Sequence, residues 1–256
     1  MNEEMHIDTI PSPTPLEIFH TGPDLAYGPL PTIIYFALSG PESLNTDPFN
    51  QPITHLKNQQ IRKFSFTLPY HGPGHSNSKA MEQWARCLKN NEDFLTPFLK
   101  NVITNISYLI DQGYIDDTNI AAAGLSRGGF IATHLAARDH RIGSILGFAP
   151  ITKFGWMREY EDRSHDSMAR QFDLTHIINQ IIGKPLRYYI GNRDQRVGTD
   201  SCFSFVSELT EASFQQGHRS PNVELFISPS IGHKGHGTPQ HIFNDGAEWL
   251  SKQFKI

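Results

Sequence analysis

The sequence predicts an α/β protein with a mostly parallel β-sheet that is covered by helices on both faces. Short apolar runs typical of buried strands alternate with amphipathic helical segments along most of the 256-residue chain. Strands that alternate with helices are joined by crossover connections, which place the strands in parallel and the helices over both faces. Hydrophobic residues make up 38% of the chain and charged residues 19%, which allows a sizeable core. We therefore expect a single domain over residues 1–256.

The predicted strands are apolar runs that end at turn or loop signals. The proline-rich N-terminal part, residues 1–31, contains one short candidate at residues 16–20. The clearer strands follow in chain order at residues 32–38, 61–68, 119–123, 142–148, 185–190 and 223–227. Functional groups of an open parallel sheet gather beyond the carboxyl ends of its strands, so the loops after these runs are where a site is expected.

The predicted helices lie between those strands. One begins near Ser78, and the next has Thr96 as its N-cap with Pro97 at its first position. Further helical patterns cover the segment after Ser126, residues 201–216 and residues 239–254. Residues 151–184 interrupt the alternation of strands and helices and mix aromatic with charged side chains. We interpret this segment as one or two short helices that form a small lid outside the sheet.

Composition and charge argue against several classes of protein. The formal net charge of −4 gives no sign of a nucleic acid or an anionic membrane surface as partner. Residues 1–10 are acidic and lack the apolar core of a signal peptide, and no apolar run is long enough to span a membrane. The two cysteines, Cys87 and Cys202, are too few for a disulfide framework or a structural zinc site. We expect a cytoplasmic protein that uses no metal ion and no cofactor.

The strongest motif is Gly124-Leu125-Ser126-Arg127-Gly128. A strand pattern precedes it and a helical pattern follows it, so Ser126 lies where a strand turns sharply into a helix. The two glycines leave room for backbone segments that pass close to each other in such a turn. The serine hydroxyl then stands above the sheet as a candidate nucleophile. A glycine-rich turn without chemistry is the alternative, because this short pattern also occurs by chance.

A nucleophilic serine needs a base that takes its proton and a carboxylate that orients the base. Asp194 lies in the loop after the last strand but one, and His233 lies in the loop after the last strand. The chain order is therefore Ser126, Asp194, His233, with each group beyond the end of its own strand. Two alternatives remain open. Asp200 could supply the carboxylate, and His236 competes with His233 within one Gly-His-Lys-Gly-His-Gly loop.

Beyond the proline-rich N-terminal segment, these motifs resemble the α/β-hydrolase fold superfamily. The segment around Ser126 resembles its nucleophile elbow, and the loops with Asp194 and His233 resemble its acid and histidine loops. Residues 68–76 resemble the glycine-rich loop that often follows its fourth strand. A second glycine, Gly129, follows Gly128, and in this the elbow resembles those of the prolyl-oligopeptidase and dienelactone-hydrolase-like branches of the superfamily. The resemblance implies an α/β-hydrolase fold with serine hydrolase activity.

Acyl transfer also needs backbone N–H groups that stabilise the negative charge of the tetrahedral intermediate. The amide of Arg127 directly follows the serine and is the first candidate. In the α/β-hydrolase superfamily, which this sequence resembles, the second donor comes from the loop after the third strand. Counted from Pro31, the matching position is Ser39, and Leu38 or Gly40 are the alternatives. We therefore expect an oxyanion hole formed by Arg127 and Ser39.

Three aromatic side chains are candidates for contact with the substrate. Tyr70 and His71 belong to the glycine-rich loop, and Trp156 belongs to the predicted lid. A histidine in such a loop can instead be exposed or structural. The Arg127 side chain has two interpretations, a structural ion pair or contact with a substrate carboxylate, and the ion pair is the simpler expectation.

The sequence therefore predicts a serine hydrolase that cleaves an ester or related acyl bond of a small molecule through an acyl-enzyme intermediate. A peptidase or an acyltransferase could use the same three groups. A hydrolase-like binding protein without catalysis is a further alternative, because a fold alone does not establish activity. The sequence leaves the natural substrate and the oligomeric state open.

Overall fold

The computed structural model describes residues 6–163 and 167–255. Within these residues, eight strands form one sheet in the order β1-β2-β4-β3-β5-β6-β7-β8. The strands are β1 Asp8–Ile10, β2 Ile18–Thr21, β3 Leu30–Phe36, β4 Arg62–Ser65, β5 Ile115–Leu125, β6 Ile142–Phe148, β7 Leu186–Gly191 and β8 Val223–Ser228. The pairs β1–β2 and β2–β4 are antiparallel, and the other five pairs are parallel. The predicted mostly parallel sheet is confirmed.

Helices follow most of the parallel strands. They are α1 Gly40–Asn45, α2 Gln51–His55, α3 Ala80–Lys89, α4 Leu95–Asp111, α5 Arg127–Arg138, α6 Ser167–Gln171, α7 Ile178–Ile181, α8 Thr199–Gln215 and α9 Gln240–Ser251. No helix among the described residues is long and apolar enough to cross a membrane.

The sheet separates two apolar cores, because successive side chains of a strand point to opposite faces. In β3, Ile33 and Tyr35 lie in the core shared with α1, α2 and α9. Ile34 and Phe36 of the same strand lie in the core shared with α3, α4, α5 and α8. All four side chains are at most 1% exposed. Helices therefore cover both faces, as the sequence predicts.

The first part of the chain differs from the predicted elements. β1 pairs with β2 at one edge of the sheet, where no strand at residues 8–10 was expected. The turn expected after β3 is the start of α1, which has Ser39 as its N-cap. α4 begins at Leu95 because the carboxylate of Asp93 accepts the amides of Leu95 and Thr96, both at 2.9 Å.

The predicted lid consists of short helical turns with α6 and α7, and its residues 164–166 lie outside the described residues. It packs beside α5. The Phe154 ring lies 4.8 Å from the Phe130 ring, and Phe172 faces His134 at 6.5 Å. The segment therefore extends the apolar core over the helix that follows Ser126.

Candidate active site

Ser126 lies at a strained turn between β5 and α5. Its backbone angles are φ 56° and ψ −114°, a conformation that non-glycine residues rarely adopt. The turn is possible because two glycines allow close backbone contacts. A Cβ on Gly124 would lie 2.2 Å from the carbonyl carbon of Gly128, and one on Gly128 would lie 1.8 Å from the carbonyl oxygen of Phe36. The sequence pattern thus places the Ser126 hydroxyl at the carboxyl end of β5, as predicted.

A continuous chain of hydrogen bonds joins Ser126, His236 and Asp194. His236 Nε2 lies 2.9 Å from Ser126 Oγ, and His236 Nδ1 lies 2.7 Å from Asp194 Oδ2. With Nδ1–H donating to the carboxylate, Nε2 is free to accept the serine proton. The Asp194 side chain is fully buried, whereas that of His236 is 21% exposed. The arrangement can therefore deprotonate Ser126 and stabilise the imidazolium that results.

Asp194 is held in place by its own loop, which follows β7. Its Oδ1 accepts the amides of Arg196 and Val197 at 2.8 and 3.0 Å, and its amide donates to Thr199 Oγ1 at 3.0 Å. Both carboxylate oxygens are thus engaged, one by the loop and one by His236. The alternative carboxylate, Asp200, is exposed in the first turn of α8.

The prediction that His233 is the base is wrong in this structure, which places His236 against Ser126. His233 is exposed at the start of a 3₁₀ turn, and its carbonyl accepts the amide of His236 at 3.1 Å. The amide of Gly237 donates to the carbonyl of Ile231 at 2.8 Å and closes this loop. The closed turn projects His233 outward and brings the later histidine back over the sheet. An offset counted along the sequence could not detect that reversal.

The predicted oxyanion donor Ser39 is also wrong. Its amide donates to Glu42 Oε2 at 3.2 Å, because Ser39 and Glu42 form the capping box of α1. The amides of Ala37 and Leu38 both donate to Ser43 Oγ at 3.0 Å. The capping box at the start of α1, where a turn was expected, therefore occupies this amide.

The amide of Arg127 remains a candidate oxyanion donor. Arg127 is the first residue of α5, where the helix itself supplies no acceptor for an amide. The positive end of the helix dipole lies at the same place and favours a nearby negative charge. One of the two predicted donors is therefore suitably located.

A cavity of about 200 Å³ opens beside Ser126. Its walls are mostly apolar and are formed by Ala37, Leu38, Pro48, Phe49, Leu125, Ser126, Arg127, His236, Gly237, Thr238 and Phe243. None of the lid residues that the structure describes belongs to this lining. The cavity can hold a small apolar group next to the serine hydroxyl.

The three predicted substrate contacts lie elsewhere. The Tyr70 hydroxyl lies 2.8 Å from Cys87 Sγ, and this hydrogen bond together with burial raises the pKa of Tyr70 to about 12. His71 is buried against Arg127. Trp156 is 48% exposed and lines a separate cavity of about 570 Å³ next to Asp194. None of the three side chains lines the cavity at Ser126.

His71 instead holds the Arg127 side chain. Arg127 Nη1 lies 2.7 Å from His71 Nε2, and His71 Nδ1 lies 2.8 Å from the carbonyl of Pro69. The guanidinium is always a donor, so Nε2 accepts and Nδ1–H donates to Pro69. Burial, and then the charge of Arg127, lower the pKa of His71 to about 4. His71 is therefore neutral at pH 7 and fixed in one tautomer.

Glu159 of the lid forms an ion pair with Arg196 of the Asp194 loop. Two contacts of 2.6 and 2.7 Å join the carboxylate to the guanidinium. The Glu159 side chain is 9% exposed, and that of Arg196 is 23% exposed. This two-contact pair ties the lid to the loop that carries Asp194.

Comparison with known families gives one match over most of the chain. The family model of the prolyl oligopeptidase family matches residues 82–256. Acylamino-acid-releasing enzyme of Arabidopsis thaliana is 24% identical over 183 residues, which is 62% of this chain and 23% of that enzyme. The chain thus spans about a quarter of the length of this relative.

Solved structures share the fold at low sequence identity. Pyrococcus horikoshii acylaminoacyl peptidase has a TM-score of 0.67 at 14% identity and covers 98% of this chain and 41% of its own. Pyrococcus furiosus esterase has a TM-score of 0.62 at 15% identity and covers 98% of this chain and 92% of its own. The open sheet and its helices are therefore those of the α/β-hydrolase fold. Because the family model spans more than half of the sequence, the chain belongs to the prolyl oligopeptidase family.

Proposed function

We propose that this protein is a serine hydrolase that cleaves an acyl bond through an acyl-enzyme intermediate. The observation that carries the proposal is the hydrogen-bonded chain from Ser126 through His236 to Asp194. Each group stands on a loop beyond the carboxyl end of its own strand, where functional groups of this kind of sheet gather. Membership of the prolyl oligopeptidase family supports the same chemistry.

In the first half of the reaction, Ser126 Oγ attacks the acyl carbonyl carbon while its proton passes to His236 Nε2. The resulting oxyanion is stabilised by the amide of Arg127 at the N-terminus of α5. The imidazolium of His236 then gives its proton to the leaving group, and the ester of Ser126 forms. Water, deprotonated by His236, hydrolyses this ester in the second half. Asp194 orients the ring throughout and stabilises its charged form.

The family match favours an amide over the carboxylic ester that the sequence alone suggested. One relative is named an acylamino-acid-releasing enzyme, one solved neighbour is named an acylaminoacyl peptidase, and another is named an esterase. The cavity of about 200 Å³ has room for a small apolar side chain or acyl group. We therefore propose short acylated peptides or amino acid derivatives as the main substrates, with small esters as secondary ones.

Labelling with a fluorophosphonate, followed by a substrate panel, tests this function. The wild-type protein is expected to be labelled once, at Ser126, and Ser126→Ala is expected to remain unlabelled. The panel pairs 4-nitrophenyl esters with 4-nitroanilides of the same acyl groups. Turnover of the anilides supports a peptidase, whereas turnover of the esters alone supports an esterase. A folded protein that is neither labelled nor active on either series contradicts the proposed function.

A further inference from the structure

The Arg127 side chain is a cation whose hydrogen-bond partners are neutral. Its Nη1 donates to His71 Nε2 at 2.7 Å and to the carbonyl of Asn77 at 3.1 Å. The ion pairs found among the described residues do not include Arg127. The structural ion pair expected from the sequence is therefore absent in the part of the chain that the structure describes.

The carboxylate that acts electrostatically on Arg127 is already engaged. Glu159 interacts with Arg127 at longer range, but its two oxygens bind Arg196 at 2.6 and 2.7 Å. Arg196 adds a second positive charge to the same neighbourhood. Burial, and then the charge of Arg196, lower the pKa of Arg127 to about 10, so the guanidinium is still charged at pH 7. A partly buried cation of this kind lacks full compensation of its charge.

His71 fixes the guanidinium without neutralising it. The imidazole accepts one N–H and is itself anchored to the carbonyl of Pro69 at 2.8 Å. Arg127 Nη1 is thus held by two uncharged acceptors, and the residues that the structure describes offer no hydrogen-bond acceptor to its Nε or Nη2. The planar fork of a guanidinium matches the two oxygens of a carboxylate.

The position of Arg127 connects this charge with catalysis. Arg127 directly follows Ser126 and is among the residues around the cavity at Ser126. Its guanidinium lies next to that cavity, against His71 and Asn77. We propose that the substrate carries a carboxylate close to its scissile acyl bond and that the Arg127 guanidinium binds it. The apolar walls of the cavity, among them Leu38 and Phe243, then hold the uncharged part of the substrate. This inference rests on the proposed serine hydrolase function and names the charge of its substrate.

Two pairs of chromogenic esters, with spontaneous hydrolysis subtracted, test the inference. The first pair is the 4-nitrophenyl monoester of glutaric acid and the methyl ester of the same compound, so that the acyl part is either charged or neutral. The second pair is 3-carboxy-4-nitrophenyl butyrate and 4-nitrophenyl butyrate, so that the charge lies in the leaving group. We expect the wild-type protein to have the higher kcat/KM for the charged member of one pair. That pair shows whether the substrate carboxylate lies in the acyl part or in the leaving group.

Arg127→Gln is expected to reduce that preference by about tenfold to hundredfold, which is the size of a lost charge-assisted hydrogen bond. Arg127→Lys retains the charge and should keep part of the preference. Arg193→Gln removes an exposed arginine side chain from the Asp194 loop and serves as the matched control, with the preference unchanged. The fluorophosphonate labelling rate of each variant checks that the nucleophile is intact.

Two results would overturn the inference. One is equal kcat/KM for the charged and neutral members of both pairs in the wild-type protein. The other is a preference that Arg127→Gln leaves unchanged while labelling is normal. Hydrolysis of the neutral esters in either case shows that the serine hydrolase function stands and that only the charge assignment fails. Loss of labelling and of all ester hydrolysis in the wild-type protein contradicts the function itself.

Discussion

The nucleophile elbow and the histidine loop supply adjacent groups of one site, yet they are built by different physical constraints. At the elbow, the backbones of Gly124, Gly128 and Phe36 lie so close that a Cβ would clash at 1.8 to 2.2 Å. In the histidine loop, turns and hydrogen bonds direct two histidines that stand three residues apart. Close packing leaves one possible arrangement for the elbow, whereas the loop sequence is compatible with more than one.

The turn of the histidine loop depends on residues with positive φ. Gly232, Lys234 and Gly235 have φ angles of 72°, 55° and 74°. A Cβ on Gly235 would also lie 2.3 Å from the carbonyl oxygen of Arg193, so this glycine packs directly against the Asp194 loop. The direction of His236 is therefore decided by contact between two loops. Such contact has no signature in the local sequence.

The largest expected effect separates the two histidines. His236→Ala should lower kcat by a factor on the order of 10³ or more, because a hydrogen-bonded serine, histidine and aspartate act as a unit in catalysis. His233→Ala is the matched control and should retain most of the activity, since this side chain is exposed. Steady-state kinetics on a 4-nitrophenyl ester, with the fluorophosphonate labelling rate as second readout, measure both. A large loss in the His233 variant alone would return the base to His233.

The sequence predicted the features that packing and periodicity control. The central strands, the two covered faces and the place of Ser126 follow from apolar runs and from a glycine-flanked turn. Asp194 was also predicted, because the carboxyl end of its strand limits the choice of carboxylates. The base His236 and the contacts of the loop after β3 were not predicted. The first depends on a short turn and the second on a helix cap. The capping pattern of Ser39 with Glu42 three residues later was visible in the sequence and could have placed α1.

A second prediction tests whether close packing is what fixes the elbow. Gly128→Ala should lower the free energy of unfolding by about 3 kcal/mol or more, because the new methyl group would overlap the carbonyl of Phe36. Gly143→Ala in β6 is the control, since its Cβ has its nearest neighbour at 3.6 Å. Urea unfolding of both variants gives the comparison. Equal stabilities would mean that the elbow tolerates a shift of its backbone.

A third prediction concerns acid, because the elbow side of the site contains the buried neutral His71. Its pKa is about 4 in the folded protein and about 6.5 in an unfolded chain, so unfolding takes up a proton between these values. Stability should therefore fall as the pH is lowered from 6.5 to 4, by up to roughly 1 kcal/mol per pH unit for this group. His71→Gln should reduce that slope, measured by urea unfolding at several pH values. His75→Gln is the control, because the His75 side chain is exposed. A slope in the His71 variant equal to that of the wild-type protein would contradict the lowered pKa of His71.

The smallest expected effect tests the corrected role of Ser39. Its side chain caps α1, and its amide donates to Glu42, so Ser39→Ala should lower the free energy of unfolding by about 1 kcal/mol. The kcat should change little, because Ser39 does not line the cavity at Ser126. Ser43→Ala is the informative contrast, since Ser43 is buried and its hydroxyl holds the amides of Ala37 and Leu38.

Removal of the Ser43 hydroxyl leaves these two amides without their acceptor and frees the loop beside the cavity. We expect a loss of stability of about 1–3 kcal/mol together with a measurable change in kcat. Unfolding experiments and steady-state kinetics on one ester therefore separate a cap from an element of the oxyanion loop. A loss of kcat greater than tenfold in Ser39→Ala, with Ser43→Ala unaffected, would restore Ser39 as the residue that matters for the oxyanion.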